Sequence, residues 1–471
     1  MAERVDGSLW WLLRDLRAAR RGGPAAVAAR QRARLADLVA RARAGSPYYR
    51  ELYRDLPERV DDPRALPVTD KVALMGRFDD WSTDRAVTLD AVRAFVGRTD
   101  TIGAPFLGRH LVVTTSGTSG VRGVFVQDER MFRVLSAITA GRSTGQFLRG
   151  PRDYARLLRN GGRTAALWAT DGHYAGYATA SRLLAERPAR RRGIRVISVH
   201  RPLDEIVDEL RRFRPAILNG YAGTVALVAA EQAAGRLRID PVLVVCAAEG
   251  LAPQAYRRIA DAFGAKVRNQ YGCSEFMGLA AGCEHDWLHV NADWAILEPV
   301  DADGAPTPPG EPSHTVLLTN LANRVQPIIR YDLGDSVTER PDPCPCGNPL
   351  PAVRVRGRTA DVLTFGPPER PVRIPPLALG TVVDRVPGVR RFQLVQRDAS
   401  TLLVRVEADP GADRSGVLDA VRAGLAGVLA GHGVPDVALV DDDRPPRLTA
   451  GGKSRAVYAA GDDRTGPRRL R

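Results

Sequence analysis

The sequence has few lysines, few cysteines and no long apolar run. Only three of the 68 lysine and arginine residues in this chain of 471 are lysines, Lys71, Lys266 and Lys453, so the formal charge of +14 is carried by arginine. No stretch approaches the roughly 18 apolar residues of a membrane-spanning helix. Residues 1–22 carry acids and arginines where a signal peptide has an apolar core. We therefore expect no membrane partner and a cytoplasmic protein.

The five cysteines are odd in number and unevenly spaced, which argues against a disulfide framework. The arginines are dispersed and lack the aromatic interleaving of a nucleic-acid-binding surface. A content of 44% hydrophobic and 26% charged residues is typical of a folded protein and excludes a disordered or collagen-like chain. We therefore interpret the charge as a solvated surface and expect no nucleic-acid partner. A basic nucleic-acid-binding protein remains a remote alternative.

The hydrophobic pattern changes twice along the chain. Apolar residues at helical spacing predominate over residues 1–100, and short β-branched strands then alternate with amphipathic helices such as Leu203–Phe213. Further strands are predicted at Val316–Leu318 and Ile328–Ile329. Beyond residue 358, strands and one helix predict a compact α+β unit. The sequence thus predicts an α/β fold, with a large N-terminal domain of mixed β-sheets and helices over 1–358 and a small mobile α+β domain over 359–471.

Five glycine-containing motifs follow one another along the chain. The loop Thr114–Gly120 offers hydroxyls, two glycines and backbone N–H groups suited to a polyphosphate, although it lacks the Gly-Lys-Ser/Thr of a Walker loop. Loop carboxylates follow in Asn269–Glu275 and Arg330–Asp335, then a Gly-Arg pair in Gly357–Asp361 and a lysine in Leu448–Lys453. Each motif alone could be an ordinary turn or a solvated side chain. Their joint order is strong evidence for a common function.

Together these motifs resemble the adenylate-forming superfamily of acyl-CoA synthetases, peptide-synthetase adenylation domains and luciferases. The phenylacetate-CoA ligase branch is indicated by Ser46–Arg50, Leu66–Lys71 and Tyr271–Gly278, and by Arg122 and Gly123 where many relatives have Pro-Lys. The resemblance covers about residues 35–458. It implies ATP-dependent, AMP-forming activation of a small carboxylic acid, expected to be aromatic, and transfer of the acyl group to coenzyme A.

The resemblance also implies which residues form the site. The nucleotide-binding residues would be Ser116, Gly117, Thr118, Ser119, Gly120, Ala248, Glu249, Tyr271, Asp335 and Arg358. The first five would hold the β- and γ-phosphates, and the others would border the adenine and the ribose. Glu275 would coordinate Mg²⁺, Ser274 would contact the α-phosphate, and Lys453 would bridge the reacting carboxylate and the α-phosphate. A lysine kept in so arginine-rich a chain suggests that a compact ammonium is required there.

The acceptor of the acyl group is less determined. Relatives often carry Asp or Lys at the pivot of the small domain, two residues after Arg358, where this chain has Ala360. Coenzyme A is the expected acceptor, and the alternatives are a carrier-protein thiol, an amine, or nitrite for diazotisation of an aryl amine. No thiolation domain follows residue 471, so a carrier protein is expected to be a separate chain. A regulator that binds adenylate without chemistry is a further alternative, and the branch suggests a homodimer.

A second constellation combines three thiols and an imidazole. Cys283, His289, Cys344 and Cys346 form a ligand set that suits structural Zn²⁺, and the phenylacetate-CoA ligase branch shows a similar pattern. His285 competes with His289 as the ligand, and ordinary reduced cysteines are the alternative. Cys246 is expected to be a buried strand residue. In relatives, the segment that corresponds to Tyr221–Thr224 lines the acyl pocket, and we expect the nearby His173 to be structural.

Overall fold

We describe a computed structural model of the chain. The described residues are 8–115, 123–250, 253–358, 362–374, 376–447 and 455–460. The α-helices are α1 (Leu9–Arg21), α2 (Gly23–Gly45), α3 (Pro47–Leu52), α4 (Lys71–Gly76), α5 (Phe78–Trp81), α6 (Leu89–Val96), α7 (Glu129–Ile138), α8 (Pro151–Arg159), α9 (Ala175–Glu186), α10 (Leu203–Phe213), α11 (Ala222–Ala233), α12 (Pro253–Phe263), α13 (Pro376–Asp384) and α14 (Arg414–Gly431). None of these described helices combines the length and the apolar character needed to cross a membrane.

The strands alternate with the later helices. They are β1 (Leu111–Thr114), β2 (Val124–Gln127), β3 (Thr164–Trp168), β4 (Ile194–Ser198), β5 (Ile217–Tyr221), β6 (Leu243–Ala247), β7 (Lys266–Tyr271), β8 (Ala280–Gly282), β9 (Leu288–Val290), β10 (Ala295–Val300), β11 (Thr315–Asn320), β12 (Tyr331–Asp332), β13 (Asp335–Glu339), β14 (Ala352–Arg358), β15 (Leu363–Phe365), β16 (Val372–Ile374), β17 (Val389–Asp398), β18 (Thr401–Ala408), β19 (Ala438–Asp441) and β20 (Val457–Ala459). The predicted helical start is confirmed, and α10 has the predicted bounds.

The helical start is held by side-chain caps. The Ser46 hydroxyl accepts a hydrogen bond from the Tyr49 N–H at the start of α3, where Pro47 occupies the first helical position. The carboxylate of Asp70 caps α4 in the same way. A buried ion pair also ties α1 to the rest of the chain. Arg142 contacts Asp293 at 2.6 Å and donates a hydrogen bond to the carbonyl of Leu16 in α1.

The largest sheet has nine strands in the order β13-β14-β9-β8-β7-β6-β5-β3-β4. Its five strands from β7 to β4 run parallel, and the strands from β8 to β13 pair antiparallel. Helices connect the parallel strands, as a parallel sheet requires, and bury apolar strands such as β6. Smaller sheets are formed by β1-β2, β10-β11-β12 and β15-β16. The alternation predicted from the sequence therefore produces a parallel sheet whose carboxyl ends lie together.

The C-terminal elements have a hydrophobic core of their own. The hairpin of β17 and β18 is flanked by β19 and β20, each parallel to its neighbour. Leu394 and Val404 of the hairpin are buried together with Leu379 of α13 and Leu425 of α14. The predicted α+β unit is thus present. Its boundary at 358/359 stays a prediction, because residues 359–361 lie outside the described ranges.

One predicted strand is wrong. Ile328 and Ile329 are buried in an extended loop, and the strand begins instead at Tyr331. The carbonyl of Pro327 accepts hydrogen bonds from the Tyr49 hydroxyl and the Trp81 indole, and the carbonyl of Ile329 accepts one from Thr69. Side chains of the helical start therefore satisfy backbone groups that a strand would have paired in a ladder.

Candidate functional site

A cavity of about 1780 Å³ lies against one face of the nine-stranded sheet. Alternate residues of β3 and β5 line it, together with residues of α7 and α9. Among the residues predicted for nucleotide binding and catalysis, those that line this cavity are Ala248, Glu249, Tyr271, Ser274, Glu275 and Asp335. They come from the carboxyl ends of β6 and β7, the turn after β7 and the start of β13. The structure therefore brings these predicted residues to one place.

A tight turn after β7 presents Ser274 and Glu275 to the cavity. The backbones of Cys273 and Phe276 exchange hydrogen bonds of 3.3 and 3.1 Å across it. At Gly272 a β-carbon would lie 2.1 Å from the carbonyl oxygen of Met277, so no larger residue fits without a backbone shift. The glycine in this motif is thus required by the close approach of two backbone segments.

The Glu275 side chain is buried, with 6% of the residue exposed. Its Oε1 accepts a hydrogen bond of 2.9 Å from the Tyr331 hydroxyl, and its carbonyl accepts one of 2.8 Å from the Asn320 amide. No arginine or lysine in the described part of the chain forms an ion pair with this carboxylate. Burying a carboxylate without a cation is unfavourable, so the arrangement suits a bound metal ion.

Tyr271 and Asp335 are joined directly at the cavity wall. The Tyr271 hydroxyl donates a 2.6 Å hydrogen bond to Oδ2 of Asp335, which is 8% exposed. Asp335 lies opposite Arg358 in the register of β13 and β14, although the Arg358 side chain lies outside the described part. The two residues predicted to contact adenine and ribose are therefore neighbours.

Ala248 and Glu249 follow β6 at its carboxyl end. Ala248 has a φ of +66°, a left-handed conformation that is uncommon for a residue with a β-carbon and often marks a functional loop. The Glu249 carboxylate accepts a 2.7 Å hydrogen bond from the Gly223 N–H in the first turn of α11. Such an acceptor satisfies one of the unpaired N–H groups of the helix start and fixes the loop beside the cavity.

Two predicted parts of the site fall outside the described residues: the phosphate loop Ser116, Gly117, Thr118, Ser119 and Gly120, and Lys453. Their described neighbours Thr115 and Arg455 line the same cavity. At the base of the loop, Thr115 N–H donates to the Gly123 carbonyl at 2.9 Å, and Gly123 N–H donates to the Thr115 hydroxyl at 2.8 Å. The described ends of the loop are therefore held close together.

The structure assembles the predicted Cys/His cluster. One donor atom from each of Cys283, His289, Cys344 and Cys346 lies within 4.8 Å of the others. The Sγ atoms of Cys283 and Cys344 are 3.7 Å apart, and Sγ of Cys346 is 3.1 Å from Nε2 of His289. Three thiols and an imidazole at such distances could hold one tetrahedral metal ion.

The imidazole of the cluster comes from His289 and not from His285. Nδ1 of His289 is 2.9 Å from the Leu350 carbonyl, which orients Nε2 toward the thiols, as is usual for a ligating histidine. His289 lies opposite Ala352 in the register of β9 and β14, beside the loop that carries Cys344. The structure thus places His289, which the sequence analysis put in the ligand set, with the thiols in preference to its competitor His285. Cys246 is fully buried in β6, as predicted.

Sequence reasoning missed several residues of the cavity. Tyr331 belongs to a motif that was singled out for its carboxylates, but its contact with Glu275 was not foreseen. Trp168 also lines the cavity, with its ring centroid 4.9 Å from that of Tyr221, a residue that was expected near the acyl pocket. Lys71 also lines it at the first position of α4. His173 is buried against Phe95 and lies 3.2 Å from the Thr101 hydroxyl, contacts typical of a structural histidine.

Comparison with known proteins identifies the fold. No protein-family model and no curated protein matches this sequence. A 2-hydroxyisobutyryl-CoA ligase in a postadenylation state, in complex with R3-HIB-AMP, has a TM-score of 0.65 at 21% identity over 92% of this chain and 89% of that one. The anthranilate CoA ligase AuaEII, in complex with anthranoyl-AMP, has a TM-score of 0.52 at 15% identity over 73% and 65% of the two chains.

A benzoate CoA ligase from Burkholderia xenovorans LB400 is similar at a TM-score of 0.50 and 16% identity, over 73% of this chain and 67% of that one. Similarity at such low identity establishes architecture, and it confirms the predicted α/β fold with a large N-terminal part and a small C-terminal part. The phenylacetate-CoA ligase branch stays a prediction. The chain has the fold of the adenylate-forming enzymes.

Proposed function

We propose that the protein is an AMP-forming ligase that activates a small carboxylic acid with ATP and transfers the acyl group to coenzyme A. In the first step a carboxylate oxygen of the acid bonds to the α-phosphorus of ATP, and pyrophosphate leaves. The observation that carries the proposal is the buried carboxylate of Glu275, which has no ion pair in the described chain and faces the same cavity as the Tyr271–Asp335 pair.

Glu275 is the residue that would hold Mg²⁺ here. A carboxylate oxygen is the hard ligand that this ion prefers, and the ion usually binds one or two carboxylates together with substrate phosphates. When bound, it would neutralise negative charge on the polyphosphate. Tyr331 orients the carboxylate through its 2.9 Å hydrogen bond. Ser274, the residue before Glu275 in the turn, would contact the α-phosphate.

The remaining nucleotide contacts follow the predicted assignments. Asp335 would accept hydrogen bonds from the ribose hydroxyls, with Arg358 beside it, while Tyr271, Ala248 and Glu249 border the adenine. The loop 116–120 would donate to the β- and γ-phosphates, and Lys453 would bridge the acid and the α-phosphate. These last two assignments rest on sequence motifs, and the nearby described residues Thr115 and Arg455 line the cavity.

The Cys/His cluster would hold a structural Zn²⁺. With metal–sulfur bonds of about 2.3 Å, the edge of a tetrahedron is roughly 3.8 Å. The separation of 3.7 Å between the Cys283 and Cys344 sulfurs fits this edge. Four protein donors are the set of a structural rather than a catalytic site, so the ion would stabilise the fold. The ion would tie β9 and the turn after β8 to the loop before β14.

ATP–pyrophosphate exchange with a panel of aryl and alkyl acids tests the proposed activation. Exchange that depends on one class of acid supports it, and the aromatic rings of Trp168 and Tyr221 favour an aryl acid. Products formed with coenzyme A, a carrier thiol, an amine or nitrite, identified by mass, then select the acceptor. An absence of exchange with every acid in the panel would contradict the proposal, and salt-sensitive DNA retention in its place would favour the nucleic-acid alternative.

A further inference from the structure

Three polar side-chain atoms at the cavity are buried without a hydrogen-bond partner in the described chain. They are Oγ of Ser143, Oγ1 of Thr179 and Oδ1 of Asn219, and all three residues line the cavity. They come from three separate elements, the π-helical segment Thr139–Thr144, α9 and β5. Buried polar groups are almost always bonded, so an atom left unpaired at a cavity wall needs a partner from within the cavity, either water or a ligand.

Asn219 is the most telling of the three because of its position in the sheet. It lies at the middle of β5, opposite Ala166 in β3 and Val245 in β6. All three residues line the cavity, and the side chains of both neighbours are apolar. The two residues directly opposite therefore offer no side-chain partner to Oδ1 of Asn219. A polar residue at the centre of such a parallel strand is unfavourable unless something else bonds to it.

The depth of Asn219 matches the far part of a small acid. Tyr221, at the carboxyl end of β5, lies next to the helix start that Glu249 caps, so this end of the strand is the nucleotide end of the cavity. Asn219 is two residues deeper, about 7 Å at the usual strand rise. One substituted aromatic ring spans a comparable length. An acyl group that enters from the nucleotide end would thus place a ring substituent near Asn219.

We infer that Asn219 determines specificity for an acid whose acyl part carries a hydroxyl or amino group, which donates a hydrogen bond to Oδ1 of Asn219. The inference rests on the proposed function and names its substrate class. The Thr179 and Ser143 hydroxyls are additional polar groups on the cavity wall. A site built to bond such a group discriminates strongly against the analogue that lacks it, because its own polar atom is then left unpaired.

The test compares matched acids in the full-length protein. ATP–pyrophosphate exchange is measured with 4-hydroxybenzoate, 4-aminobenzoate and benzoate, and with 4-hydroxycinnamate and cinnamate. We expect the wild type to prefer a substituted acid over its parent by tenfold or more in kcat/KM. Asn219→Leu, of similar volume, should raise KM for the substituted acid, so that the ratio of kcat/KM between the substituted and the parent acid falls to about one.

Two further variants separate recognition from folding. Asn219→Asp keeps an acceptor oxygen at the same place and should keep a preference. Leu218→Met changes the next residue of β5, which is buried in the core and does not line the cavity, and it should behave as wild type. Equal use of substituted and parent acids by the wild type would overturn the inference, because water could then satisfy Asn219. A preference retained by Asn219→Leu would also overturn it. Exchange with no acid at all would instead reject the proposed function.

Discussion

The hydroxyl of Tyr331 donates a 2.9 Å hydrogen bond to Oε1 of Glu275, 56 residues earlier in the chain. Both residues are buried, and the Tyr331 ring packs edge-on against Phe125 of β2. The ring is thereby fixed, and the phenol fixes the carboxylate in turn. In the proposed enzyme Tyr331 is a positioning residue that acts through Glu275.

We expect Tyr331→Phe to weaken Mg²⁺ use without abolishing activity. The variant keeps the ring and removes a hydrogen bond to a charged group, a loss of about 1.5 kcal/mol that corresponds to roughly a tenfold higher Mg²⁺ concentration at half-maximal exchange. Glu275→Gln should lower exchange at least 100-fold. The measurement is ATP–pyrophosphate exchange over a Mg²⁺ titration.

Tyr49→Phe is the matched control, because the Tyr49 hydroxyl is also buried but donates to the Pro327 carbonyl. This variant should lower the thermal midpoint and leave the Mg²⁺ dependence unchanged. A normal Mg²⁺ dependence in both Tyr331→Phe and Glu275→Gln would remove Glu275 from the proposed metal site.

Because the chain has only three lysines, variants of Lys453 can be compared with a variant of a lysine outside the proposed site. Lys453→Ala should nearly abolish adenylate formation while ATP binding persists, because the ammonium is needed where the carboxylate and the α-phosphate meet. Lys453→Arg should also be impaired, since a planar guanidinium differs from an ammonium in geometry and hydration. Exchange measures the chemistry, and binding of a fluorescent ATP analogue measures affinity.

Lys266→Arg provides the comparison for these variants. Lys266 forms an ion pair of 2.5 Å with Asp153 and a 2.9 Å hydrogen bond with the Phe147 carbonyl, outside the residues that line the cavity. Exchange should be preserved in this variant. Full activity of Lys453→Ala would show that another group supplies the charge.

The parts of the site that the sequence predicted are those with local signals. Gly272 and Glu275 form a recognisable turn motif, and the ligand types at Cys283 and Cys344 point to a metal across 61 residues. Contacts set by strand pairing have no such signal. The choice of His289 over His285 depends on the register of β9 against β14. Ile328–Ile329 failed as a strand because the Ile329 carbonyl accepts a hydrogen bond from Thr69, 260 residues earlier, and the adjoining Pro327 carbonyl accepts one from Trp81.

Asn219 shows an intermediate case. Alternate residues of a strand share one face, so Asn219 lies on the same face of β5 as Tyr221. Because Tyr221 was already expected near the acyl pocket, this alternation could have identified Asn219 from the sequence. Its missing partner could not be inferred, because this depends on the residues of β3 and β6 that lie opposite. A single asparagine within an apolar strand carries no motif.

The Cys/His cluster predicts one zinc per chain. Elemental analysis of the purified protein should find about one equivalent, and Cys346→Ser should lose the metal and lower the thermal midpoint, since zinc binding stabilises the fold that brings the ligands together. Cys246→Ala is the control, because Cys246 is buried in β6 away from the cluster and should keep its zinc. A fully stable wild type without any metal would refute the site.

The C-terminal core should lose stability in acid through a partly buried carboxylate, Asp442. Hydrogen bonds from Arg444 and from Arg405, which is 2% exposed, hold the pKa of Asp442 well below its usual range despite the opposing effect of burial. A carboxyl whose pKa is lower in the folded state stabilises it above the unfolded pKa of about 3.9 and loses this effect as the pH falls further.

Asp442→Asn should therefore lower the thermal midpoint of the C-terminal transition at pH 7 by several degrees, and the difference from wild type should shrink as the pH falls below about 4. Asp443→Asn is the control, because the Asp443 carboxylate is exposed and, among the described residues, forms its ion pair with the exposed Arg414. It should change little at either pH. Circular dichroism across pH 3 to 7 measures all three proteins. If the difference in thermal midpoint stayed constant across this range, the charge on the Asp442 carboxylate would contribute nothing to folding. Asp442 would then act through its shape and its neutral hydrogen bonds.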